Sequence, residues 1–207
     1  MKKILLLNIL CIILSCNKNV DKITSIDNGN DSVVYTSNEE ISKPLSSHTI
    51  DSSEIKKLKS LFIVKKDEFD SHAWIKPKSK PAYINRNGFY CYFAQNSNGS
   101  VDNFRFVGQY AADEWLFIKK LTFNIDGENY EYFPDNIDSD HETTIWEWYD
   151  DQITPTTLNI IEKISKAKNV KVRFTGSQYY DDKIMSQSNI KSIKNTFEYY
   201  KALGGSF

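Results

Sequence analysis

Only three of the 207 residues are cysteine, which excludes a disulfide-stapled scaffold. Arginine is as scarce: Arg86, Arg105 and Arg173 stand against 23 lysines, so few planar guanidinium forks exist for bidentate recognition of phosphate or carboxylate. That imbalance, together with frequent Asn and Ile, reads as the codon bias of an AT-rich genome. An excess of one charge is lacking too, with 26 basic residues against 27 acidic ones and a net charge of −1. A dedicated nucleic-acid binder needs clustered cations to displace phosphate counterions, so no nucleic-acid partner is expected. No apolar run reaches the roughly 18 residues of a membrane-spanning helix, and no internal repeat recurs at periods of about 20–50 residues. What remains, 40% hydrophobic and 26% charged, suits one folded domain with a tail.

The N-terminus carries the clearest signal. Lys2 and Lys3 precede an eleven-residue stretch, Ile4 to Leu14, that is apolar apart from Asn8. At about half the roughly 20 residues needed to cross a bilayer, it reads as the hydrophobic region of an export signal. Ile13-Leu14-Ser15-Cys16 follows: branched apolar residues, a small residue, then cysteine. An ordinary secretory site wants small residues at both the last and third-last positions before the cut, and bulky Ile13 stands at the latter. This segment resembles the lipobox of bacterial lipoproteins, a resemblance confined to the signal and its cleavage site. It implies a diacylglyceryl thioether on Cys16, cleavage between Ser15 and Cys16, and acylation of the new amino group. Removing residues 1–15 takes two lysines with it and leaves a net charge of −3. Stable anchoring takes two signals, and three acyl chains supply them without a spanning helix. The expected location is the cell envelope, as a lipoprotein of a Gram-negative outer membrane.

Composition then divides the chain. In residues 17–53, Ser, Asn and Asp supply 17 of 37 positions and Tyr35 is the lone aromatic; Val33-Val34-Tyr35 is a weak strand-like island. Such a stretch buries too little apolar surface to offset backbone entropy. Residues 16–53 are therefore expected to be a lipidated cysteine and a disordered tether, spanning about 30–40 Å. Residues 54–207 hold 27 of the 28 aromatics and are expected to form a single domain.

Within that body, Phe62-Ile63-Val64, Ala73-Trp74-Ile75 and the aromatic run 88–94 read as strands. Trp115, Phe117, Leu121, Phe123 and Ile125 occupy odd positions, with Lys120, Thr122 and Asn124 opposite, and predict one long strand. Asp126-Gly127 predicts a type I′ hairpin. Ile145 to Tyr149 and Val170 to Phe174 add strands. Thr154-Pro155 predicts a helix start, with Leu158, Ile161 and Ile164 at helical spacing. Ser186 caps a last helix bearing Ile190, Ile193, Phe197 and Tyr200, which Gly204-Gly205 ends. The expectation is an α+β fold: a largely antiparallel β-sheet or sandwich with two C-terminal helices packed on it. Trp115, Phe117, Phe123 and Cys91 are expected in its core.

Catalytic motifs are missing. There is no Gly-x-Ser-x-Gly elbow, and His48 falls in the tether, leaving His72 and His141 as bases. His72, beside Trp74, reads as a packed or surface histidine, and Cys91 as a small buried residue. No Cys-x-x-Cys, paired histidine or Gly-rich phosphate loop is present, and no cofactor is expected. Asp135, Asp138, Asp140 and Glu142 lack the glycine and distal glutamate of a calcium loop and read as a solvated acidic turn. Two segments combine aromatics with carboxylates. The first is Trp146, Trp148, Tyr149, Asp150 and Asp151, where Trp146 and Trp148 share one strand face and are expected to be buried. Tyr179, Tyr180, Asp181 and Asp182 lie in an expected polar loop, and loops carry function more often than strands. They are the candidate ligand-binding residues, suited to a protein or glycan partner. The competing reading of the protein is a glycosidase-like envelope hydrolase using paired carboxylates, which needs two carboxyl groups across a cleft.

Overall fold

The computed structural model describes residues 51–66 and 68–207. Cys16, the export signal and the island at Val33-Val34-Tyr35 lie outside the described residues. The described chain opens on a helix that composition does not announce, α1 (Ser52–Lys59), N-capped by the Asp51 carboxylate two residues ahead of the composition step.

Ten strands then form two antiparallel sheets. The larger contains β1 (Phe62–Lys66), β2 (His72–Pro77), β3 (Gly88–Asn96), β4 (Val101–Ala112), β7 (Asp138–His141) and β8 (Ile145–Gln152), ordered β1-β2-β3-β4-β8-β7. The smaller contains β5 (Lys120–Ile125), β6 (Glu128–Tyr132), β9 (Val170–Thr175) and β10 (Tyr180–Ile184), ordered β10-β9-β5-β6. Two helices complete the fold, α2 (Pro155–Lys166) and α3 (Gln187–Ala202). The architecture is α+β, as the alternation of strand and helix periods predicts.

Aromatic rings join the sheets. Phe89 of β3 meets Phe123 and Phe174 of the smaller sheet at centroid distances of 5.8 Å each, and Phe106 of β4 meets Phe123 and Tyr132 at 6.0 Å each. Cys91 and Phe123 are fully buried here. The same face of the larger sheet receives α3, whose Tyr200 packs against Phe93 and Phe104 at 5.2 and 5.0 Å. α2 packs on α3 and buries Ile160, Ile161 and Ile164. Both helices start on the expected caps: Thr154 Oγ1 accepts from Thr157 N–H, and Ser186 Oγ from Asn189 N–H. The Asp126-Gly127 turn has positive φ at both residues, 48° and 100°, as a type I′ hairpin requires.

Three expectations are corrected. The strand predicted from Trp115 begins only at Lys120. Trp115 is half-buried and Phe117 is 60% exposed, with a left-handed φ of 55°. The cause is Glu147, 2% exposed on β8, whose carboxylate accepts from three consecutive N–H groups: Leu116 and Phe117 at 2.9 Å and Ile118 at 2.7 Å. In a strand, successive N–H groups point to opposite edges; three can converge on one carboxylate only where the backbone turns. Secondly, the expected loop from Thr175 to Asp182 contains the start of β10, which pairs with β9 in the register Tyr180↔Thr175 to Ile184↔Lys171. Asp181 and Asp182 therefore stand within an edge strand. Thirdly, part of the expected acidic turn is an edge strand, β7, whose four residues are all exposed.

Candidate functional site

Strand alternation gives the smaller sheet a buried and an open face. Leu121, Phe123, Val172 and Phe174 point to the core. The residues between them form cross-strand rows on the other side, because the pleat sends alternate side chains outward. One row is Asp182, Arg173, Thr122 and Glu131; the next is Ile184, Lys171, Asn124 and Asn129. Six of these residues, Thr122, Asn124, Asn129, Lys171, Arg173 and Asp182, line a shallow cleft of about 410 Å³.

The four candidate residues divide between the two sides of β10. Tyr180 and Asp182 point to the open face. The Arg173 guanidinium lies 3.9 Å from the Tyr180 ring centroid and bonds Asp182 through Nε at 2.7 Å and one Nη at 3.0 Å. Lys171 Nζ reaches the same carboxylate at 3.0 Å. Hydrogen bonds from Arg173, then from Lys171, hold the Asp182 carboxyl well below the usual carboxylate range. Asp181 turns the other way. It accepts from the Tyr110 hydroxyl at 3.0 Å and pairs with Lys183 at 2.7 Å. Burial, then this bond to Asp181, pushes the Tyr110 phenol up. Tyr179 precedes the strand and is 71% exposed; Tyr180 is 60% exposed. The structure thus unites Tyr180 and Asp182 with Lys171, Arg173, Thr122, Asn124 and Asn129, none of them singled out from sequence. The alternation Val170-Lys171-Val172-Arg173-Phe174 was the available signal. Which strands lie beside it is a matter of register, which that alternation does not contain.

The other aromatic–carboxylate segment is consumed internally. Asp150 and Asp151 are adjacent on β8 and face opposite sides. Asp150 accepts from the Tyr92 hydroxyl and Arg105 Nε, each at 2.6 Å. Lys76 Nζ stands 4.5 Å from the Tyr92 ring, with its pKa lowered by burial. Asp151 is buried, accepts from the Tyr132 hydroxyl and from Asp135 N–H, and is raised by burial against those two bonds. Trp146 is buried, as expected, but Trp148 is only half-buried, and both lie on the face of β8 opposite the core residue Tyr149. His72 stacks edge-on against Trp74 at 4.9 Å. Among the described residues, no group of three or more His, Cys, Asp or Glu is placed to hold a metal ion, the acidic segment around Asp138 included.

Comparison with protein-family models, with curated proteins and with solved structures finds no match.

Proposed function

We propose that the protein is a lipid-anchored module of the cell envelope, held on a Gram-negative outer membrane by acyl chains on Cys16, that binds a glycan or protein ligand without transforming it. The ligand surface is the open face of the four-stranded sheet. One observation carries this reading: Tyr180 is a large ring left exposed against an ordered ion-pair network, and its chain neighbour Tyr179 is exposed as well. Rigid, amphipathic Tyr rings supply contact area at low entropic cost, and Arg beside them adds directional donors. Anchoring rests on the lipobox resemblance. No helix among the described residues is long and apolar enough to cross a membrane.

The hydrolase reading needs two carboxyl groups converging on a cleft. In each candidate pair the two carboxylates are neighbours on a strand and face opposite sides, and each is bonded to its own partners. That arrangement favours binding over hydrolysis. The test uses the full chain in detergent on arrays of immobilised glycans and envelope proteins, beside the Tyr179→Ala/Tyr180→Ala variant. Capture that depends on both tyrosines and leaves the ligand intact is expected. Cleavage of the captured ligand, or capture unchanged in the variant, would overturn the proposal.

A further inference from the structure

The cleft on the open sheet face has a definite charge and a definite set of polar groups. Lys171 and Arg173 share the single carboxylate of Asp182, so one positive charge is left over. Their side chains remain about half exposed, at 56% and 47%. Arg173 uses Nε and one Nη on Asp182, which leaves the second Nη outside that pair. At the cleft's other side, Asn124 Nδ2 donates to Asn129 Oδ1 at 2.7 Å. That bond orients both amides and keeps one acceptor, Asn124 Oδ1, and one donor group, Asn129 Nδ2, for a ligand. The Tyr180 ring carries the guanidinium on one face and is otherwise largely exposed.

A ligand matching these groups has one negative charge, adjacent hydroxyls that both donate and accept, and an apolar C–H face that lies on an aromatic ring. We infer that the cleft binds a sugar bearing one carboxylate, of the uronate class. The carboxylate sits against Lys171 and the second Nη of Arg173, the hydroxyls against Asn124 and Asn129, and the ring's C–H face on Tyr180. A cleft of about 410 Å³ is within the range of small-ligand sites. Asp182 has a positioning role: it holds both cations and keeps the guanidinium over the Tyr180 ring. This inference rests on the binding reading above and names its ligand class.

Calorimetric titration of the full chain in detergent tests it, with a galactose trisaccharide in which one residue is galacturonate, and its neutral counterpart, galactotriose, as probes. The acidic trisaccharide is expected to bind at least tenfold more tightly than the neutral one, and to weaken several-fold as salt rises from 50 to 500 mM. Lys171→Met and Tyr180→Ala are each expected to weaken it about tenfold; both replace exposed side chains, and unchanged melting temperatures would show the fold intact. Arg173→Lys keeps the charge but not the guanidinium fork and is expected to weaken it as well. Equal affinity for both trisaccharides would overturn the acid preference while leaving a glycan-binding module. No binding of either probe, alongside tyrosine-dependent capture of an envelope protein, would overturn this inference and leave the proposed function standing. Binding that survives all three variants would place the sugar elsewhere and also overturn it.

Discussion

The carboxylate of Glu147 holds Phe117 in the left-handed region of backbone space. Phe117 N–H donates to Glu147 Oε1 at 2.9 Å, its neighbours Leu116 and Ile118 donate to the same carboxylate, and φ at Phe117 is 55°. A left-handed backbone costs a residue with a Cβ about 1–2 kcal/mol, and such conformations persist where the surroundings over-determine them. Three charge-assisted hydrogen bonds in a buried site do so here. Their second effect is outward display: Phe117 stands exposed with its ring stacked on Trp115 at 5.7 Å.

Glu147→Gln removes the charge and turns an N–H₂ group toward backbone donors. It is expected to cost about 2–4 kcal/mol, the range for losing hydrogen bonds to a charged group and stranding a buried donor. Urea unfolding measures it, and a loss under about 0.5 kcal/mol would show that the three bonds do not hold the connector.

Phe117 and Phe123 share one alternating pattern in the sequence but not one environment. Phe123→Ala is expected to cost about 3–5 kcal/mol, the range for a buried aromatic truncation. Phe117→Gly removes an exposed ring and relieves the left-handed backbone, and is expected to change stability by less than about 1 kcal/mol. Paired denaturation curves decide this; comparable losses at the two positions would contradict the burial described above.

Gly108 of β4 faces Tyr149 of β8 across the strand pair, and a Cβ there would stand 2.3 Å from Tyr149 Cε1. That ring is buried between Phe106 and Tyr132, at 5.5 and 5.2 Å. Gly108→Ala is expected to cost about 1–3 kcal/mol through overpacking, seen as a lower melting temperature. Wild-type stability in this variant would mean that the ring moves freely.

The depressed pKa of Asp182 sets the direction of one pH effect. A carboxyl lower in the folded than in the unfolded chain adds stability above its unfolded value near 4. That contribution fades as pH falls from there toward the folded value. Melting temperature is expected to drop between pH 4 and pH 2 in the wild type. In Asp182→Asn it should be lower at neutral pH and decline less steeply. Identical slopes would refute the assignment to this residue.

Lipidation of Cys16 carries all of the proposed anchoring. In Cys16→Ala the thioether has no sulfur to form on, and residues 1–15 are expected to stay attached. Mass spectrometry of the mature N-terminus is the check. An unmodified cysteine, or a cut elsewhere than before Cys16, would return the protein to the secreted class.

Sequence by itself determined what depends on neighbours along the chain. The two helix caps at Thr154 and Ser186, the Asp126-Gly127 turn and the burial of Cys91 and Phe123 all follow from local chemistry and period. So does the α+β class. The candidate site was half legible. Exposed Tyr179 and Tyr180 were visible as aromatics in a polar segment, and Asp182 as a carboxylate beside them. The tertiary structure alone decided that Asp181 faces Tyr110 while Asp182 faces Arg173, because adjacent strand residues point to opposite sides and only pairing with β9 sets which is which. It also decided that Phe117 leaves the strand that its alternation predicts. The residue responsible, Glu147, lies 30 positions away in sequence, and no local pattern reports a hydrogen bond across that distance.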